Sequence, residues 1–102
     1  MTLVPVFAAL ADETRWSILS ALGSRELSAS ALAAQLPVSR QAIAKHLAVL
    51  SDAGLVEPAR SGREVRYRAL GARLSAIANE LDAIGSGWDA RLSTLKQVAE
   101  GH

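Results

Sequence analysis

The sequence predicts a mainly α-helical chain carrying one small β-hairpin, on three observations. Asp12, Ser28 and Ser39 each stand as an N-cap before a stretch with apolar residues at helical spacing. Two short extended runs flank the turn residues Arg60-Ser61-Gly62-Arg63. A seam of apolar residues with gaps alternating between three and four runs through the last part of the chain.

The first capped helix covers residues 12–22. Glu13 sits favourably in its first turn, Ile18, Leu19 and Leu22 form its apolar stripe, and Gly23 ends it. The second begins at Ser28 and runs to about Leu36, with Ala29, Leu32, Ala33 and Leu36 on one face. Pro37 stops it by driving Leu36 out of the helical region. In the third, Ser39 is placed to accept the amide of Ala42, Ile43, Leu47 and Leu50 point to the core, and Gly54 closes the helix. Its other face shows Arg40, Gln41, Ala44 and Lys45.

The extended runs, about 55–59 and 64–70, form the hairpin, with Arg66 and Arg68 alternating with Val65 and Tyr67 so that one face is basic and the other apolar. The last helix spans about 73–100 with Leu74, Ile77, Leu81, Ile84, Trp88, Leu92 and Leu95 in its seam. Glycine costs up to about 1 kcal/mol inside a helix, so Gly85 and Gly87 predict a bend or a close backbone crossing.

A chain of 102 residues supports one core, and residues 1–102 are expected to form one domain. Half the residues are hydrophobic, but twenty are alanine and only four are aromatic. The monomer core is therefore thin. The terminal seam needs a second surface, supplied in part by Leu3, Val6, Phe7 and Leu10 and in part by a second copy of the chain. A homodimer built on both terminal helices follows.

The absence of cysteine excludes disulfides, a thiol nucleophile and thiolate metal ligation, and points to the cytoplasm. The apolar stretch 3–11 is about nine residues, where a spanning helix needs about twenty, so neither a leader nor a membrane anchor is expected. No glycine-rich phosphate loop or nucleophile, base and acid set is evident, and an enzyme is not expected. No cofactor is called for.

The net charge of +1 hides a division. Residues 38–73 hold seven Lys/Arg against three Asp/Glu, a net +4, while the remainder holds four against seven, a net −3. A basic middle between acidic ends fits a polyanion held by one face, double-stranded DNA above all. Two short helices followed by a basic hairpin make a helix-turn-helix with a wing. Arg40 and Gln41, in the first turn of the second motif helix, suit bidentate contacts to guanine and adenine edges. Lys45 and Ser39 suit phosphate. In the wing, Arg60, Arg63 and Arg66 supply charge, with Arg63 at the tip suited to a narrow minor groove. His46 has two readings: a DNA contact late on the helix, or a half-buried ring satisfied by a neighbouring group.

Residues 8–15 (AALADETR), 39–47 (SRQAIAKHL), Leu50, 53–56 (AGLV) and Gly62-Arg63 with Tyr67 resemble the ArsR/SmtB regulators over nearly the whole chain. The resemblance implies a dimeric winged helix-turn-helix repressor on a palindromic operator, with Ser39, Gln41, Lys45 and His46 on the recognition helix and Arg63 in the wing. It departs at three places. Ser28 and Ser30 stand where metal-sensing members have cysteines, and the last helix offers Asn79, Glu80, Asp82 and Asp89 without histidine, so neither metal site is carried over. Pro37 replaces the usual turn glycine and requires a different local turn. Trp16 stands where arginine is common, assigned to ordinary core packing or to an anchor at a pocket or the seam. The effector stays unassigned. The alternative reading is a winged-helix module that binds an acidic protein partner.

Overall fold

The computed structural model describes residues 4–100, with side chains described as far as Gly87 and at Ala90, Ser93 and Gln97. The elements run α1 (Val4–Leu10), α2 (Glu13–Leu22), β1 (Leu27–Ser28), α3 (Ala29–Gln35), α4 (Arg40–Asp52), β2 (Val56–Ser61), β3 (Glu64–Ala69) and α5 (Gly71–Glu100). All three predicted caps form. The side chains of Asp12, Ser28 and Ser39 accept the amides of Arg15, Ala31 and Ala42 at 3.0, 3.1 and 3.1 Å. Each such cap stabilises its helix by about 1 kcal/mol.

Between α3 and α4 the chain turns without positive φ. Leu36 is extended (φ −116°, ψ 148°), as a residue before proline must be, and the Val38 amide donates to the Leu36 carbonyl at 2.8 Å across Pro37. This three-residue turn uses the φ that proline already holds, which is how the chain dispenses with a turn glycine.

Helix α4 ends in a Schellman motif. The Gly54 amide donates to Ser51 O at 2.9 Å and the Leu55 amide to Leu50 O at 3.0 Å, with Gly54 at φ 75°. Leu50 and Leu55, both fully buried, supply the apolar contact that accompanies the motif. The Leu55 carbonyl then accepts the Leu70 amide at 2.9 Å, and the Leu70 carbonyl accepts the Leu74 amide at 3.0 Å. One chain of backbone bonds thus joins the end of α4, the base of the hairpin and the first turn of α5.

The strands form an antiparallel sheet in the order β1-β3-β2. The two-residue β1, absent from the sequence reading, pairs Leu27 with Tyr67 and Ser28 with Arg66. The hairpin ladder continues to the pair Ser61 and Glu64, leaving a two-residue turn of Gly62 and Arg63 in place of the expected four-residue one. Gly62 at φ 65° takes the first turn position, where type II′ geometry requires glycine.

Ile18, Leu22, Leu32, Ile43, Leu47, Leu50, Leu55 and Val56 form the centre of the core, joined by Val6 and Ala9 from α1, Leu27 from β1 and Ile77 from α5. One expectation changes here. Trp16 does not pack in the core and is 58% exposed, because two residues along α2 it lies opposite the stripe of Ile18 and Leu22. Helix α5 runs unbroken through Gly85 and Gly87, and a side chain added at either would meet no neighbour within 4 Å in this chain. A 30-residue helix of about 45 Å, with Ile77 its buried residue among those described, gives the molecule its long dimension of 69 Å.

Candidate nucleic-acid interface

The core fixes which face of α4 is free. With Ile43, Leu47 and Leu50 buried against α2 and α3, the positions between them must face outward. Ser39, Arg40, Gln41, Ala44 and Lys45 are all exposed, and Arg40 and Gln41 lie in the first helical turn as expected. Beside them the wing rises from the sheet. Arg40 and Ala44 from α4, Arg63, Glu64, Val65 and Tyr67 from the hairpin, and Ser28, Ala29 and Ser30 around the start of α3 line a concavity of about 480 Å³. The structure thus brings Arg40 and Arg63 to one cleft, lined also by Ser28, Ser30, Glu64 and Tyr67. Ser30 and Tyr67 were not singled out as interface residues in the sequence. Their shared setting depends on the β1 pairing that brings the start of α3 to the wing.

The wing's charges divide by pairing. In the β2 and β3 register, Arg60 lies opposite Val65, and Pro58 opposite Tyr67, on the face turned to the cleft. Arg66 and Arg68 alternate with Val65 and Tyr67 along β3 and are paired with acids, one of which, Glu64, also lines the cleft. Arg66 Nε donates to Glu64 Oε2 at 3.0 Å. Arg68 Nε donates to Glu57 Oε1 at 2.7 Å, and its Nη1 lies 3.8 Å from Glu26 Oε2. The expected basic strand face is therefore a mixed ion-pair network, in which the charge of Arg66 is balanced by Glu64. Arg40, Lys45, Arg60 and Arg63 make no ion pair among the described residues.

His46 is half-buried on the flank of α4 turned to α2, with Nδ1 3.4 Å from Arg15 Nη1. Arg15 also donates through Nη2 to Ala8 O at 3.1 Å and through Nε to Ala9 O, and its Nη1 lies 3.9 Å from Asp12 Oδ2. The Arg15 amide at the Asp12 side chain holds the Asp12 carboxyl below the usual carboxylate range. The nearby charges of His46 and Arg15 add to this effect, which partial desolvation opposes.

The expected dimer residues separate in the same way. Val6 and Ile77 are buried in the protomer's own core and are not available to a partner, while Leu10 and Leu74 are half-buried against it. Phe7, Leu81 and Ile84 are exposed at 44%, 42% and 55%. Leu3 and the side chains of Trp88, Leu92 and Leu95 lie outside the described residues. Among the described residues no group of three or more His, Cys, Asp or Glu is gathered as a metal site, and no helix is long and apolar enough to cross a membrane.

Five helices and a three-stranded sheet, with an exposed polar first turn on α4 beside a basic hairpin, define a winged helix-turn-helix DNA-binding transcription regulator. A helix-turn-helix domain family model matches residues 10–59. An ArsR-like transcriptional regulator from Rhodococcus sp. RHA1 superposes with a TM-score of 0.85 at 60% identity, covering 98% of this chain and 92% of that one. The HTH-type transcriptional regulator Rv2034 of Mycobacterium tuberculosis is 36% identical over 92 residues, 90% of this chain and 83% of that protein. A transcriptional repressor SmtB homolog of Synechocystis sp. is 43% identical over 61 residues, 60% of this chain and 46% of that protein. The chain belongs to the ArsR/SmtB family of winged helix-turn-helix regulators.

Proposed function

We propose that the chain is a homodimeric repressor that binds a palindromic operator, with α4 in the major groove and the wing at the adjoining backbone or minor groove of each half-site. The observation that carries this reading is the distribution of free charge. Among the described residues, Arg40, Lys45, Arg60 and Arg63 are exposed and without ion-pair partners on α4 and the wing, while Arg66 and Arg68 are paired with glutamates. Arg40 and Gln41 read base edges, Ser39 and Lys45 hold phosphate, and Arg60 and Arg63 bring the wing to the duplex. Arg66 contributes little, because its charge is already compensated by Glu64.

Phe7, Leu81 and Ile84 supply exposed apolar surface for a second copy, and repression is supported by the name of the Synechocystis relative. Selection of bound sequences from a random duplex pool tests the reading. The expected product is an inverted repeat with half-sites about one helical turn apart. Recovery of no preferred duplex, or of a single unpaired half-site, overturns it.

A further inference from the structure

Arg15 is placed at a junction of three helices. Its guanidinium bonds the carbonyls of Ala8 and Ala9 in the last turn of α1, lies beside Asp12 at the cap of α2, and reaches His46 of α4. Guanidinium has donors only, so the imidazole must use Nδ1 as an acceptor, which leaves the neutral ring with its proton on Nε2. An imidazolium has no acceptor, and it would set a second cation against Arg15. We propose that Arg15 and His46 form a pH-responsive positioning pair: neutral His46 ties the recognition helix to α1, and protonation breaks the tie and weakens DNA binding. The inference rests on the reading that α4 enters the groove.

Among the described residues the charged surroundings of the pair are few. From α2 come Arg15 and Asp12, and α1 presents only backbone carbonyls. On α4, Asp52 lines with Arg15 a concavity of about 430 Å³ whose other walls are Pro5, Ala8, Ala9, Val49 and Ala53. Asp12 favours the imidazolium, but it is already engaged by the Arg15 amide and guanidinium. Once the ring is protonated, Arg15 Nη1 keeps only Asp12 Oδ2, 3.9 Å away, and its link to α4 is lost.

The sign of the effect separates this role from direct contact with DNA. An imidazolium at a phosphate strengthens binding on acidification, whereas loss of the Arg15 bond weakens it. The experiment measures affinity for the selected operator from about pH 8 to about pH 5.5, where imidazoles titrate, with circular dichroism at each pH to confirm the fold. Wild type is expected to lose affinity as the pH falls, a loss that the His46 variants do not share.

His46→Asn keeps an acceptor at the position of Nδ1 and cannot titrate in this range, so its profile is expected to be flat. His46→Gln serves as a second version should the asparagine disturb the helix. Arg15→Gln removes the opposed cation and is also expected to flatten the profile. His102 is the only other histidine, and His102→Gln is expected to keep the wild-type loss. A wild-type affinity that stays level or rises with acid, or an equal loss in the His46 variants, overturns the proposal. Absence of any duplex preference at pH 8 would instead overturn the DNA-binding reading on which it rests.

Discussion

Replacing Arg63 and Arg68 in turn tests the division of charge across the wing. Each phosphate neutralised by a cation contributes about 0.9 to the slope of log affinity against log salt. The four unpaired cations of α4 and the wing, Arg40, Lys45, Arg60 and Arg63, make eight in a dimer. The wild-type slope is therefore bounded at about −7. Arg63→Ala removes one cation per protomer and should flatten the slope by about 1.8 per dimer.

Arg68→Ala removes the same formal charge but leaves the slope within about 0.3 of wild type, because Glu57 at 2.7 Å and Glu26 at 3.8 Å already compensate it. Anisotropy titrations at four or more salt concentrations, on one operator duplex, give all three slopes. Equal flattening by both substitutions would show that the carboxylates do not screen Arg68. An unchanged slope for Arg63→Ala would remove the wing from the interface. Glu64→Gln provides the converse, since it frees Arg66 and should steepen the slope.

Other substitutions probe the frame. Gly54→Ala places a side chain at φ 75° and should cost about 1–2 kcal/mol, a fall in melting temperature of roughly 5–15 °C by calorimetry. Gly87→Ala, in open helix, should stabilise by up to about 1 kcal/mol; a loss there would reveal a partner backbone close to Gly87. Leu81→Glu puts a charge on the exposed seam and should convert dimer to monomer in sedimentation at micromolar concentration, and a dimer left intact would move the interface elsewhere. Asp12→Asn keeps a capping acceptor but cannot ionise. Since the folded carboxyl titrates below its ordinary value, the wild-type advantage is present above the usual carboxylate range and disappears as pH falls through the lowered value, as denaturant melts of both proteins across that range should show.

Much of the frame was legible because it is local. The caps at Asp12, Ser28 and Ser39 act over three residues, and the stripe of Ile43, Leu47 and Leu50 has one period, so both can be seen in the sequence. What stayed hidden involves distant partners. Strand β1 is two residues long and exists through its pairing with β3. Arg68 and Glu57 are eleven positions apart, and Arg15 and His46 thirty-one, so no short-range pattern announces either contact. The terminal seam reads as uniform in sequence, yet the core takes Ile77 and leaves Leu81 and Ile84 outside. The first-turn residues of α4 were recognisable because helix periodicity assigns them to the free face. Ser30 and Tyr67 required knowledge of how the start of α3 meets the wing.

The backbone links at Leu50, Leu55, Leu70 and Leu74 make the foot of the hairpin a shared hinge pin. In the proposed dimer, a rotation of α5 would pass through these bonds to the wing and to the far end of the recognition helix. In a dimer joined through α5, the angle between the paired long helices sets the distance between the two reading heads. A ligand that alters that angle by a few degrees would act on the operator through spacing alone, without touching a residue that faces DNA.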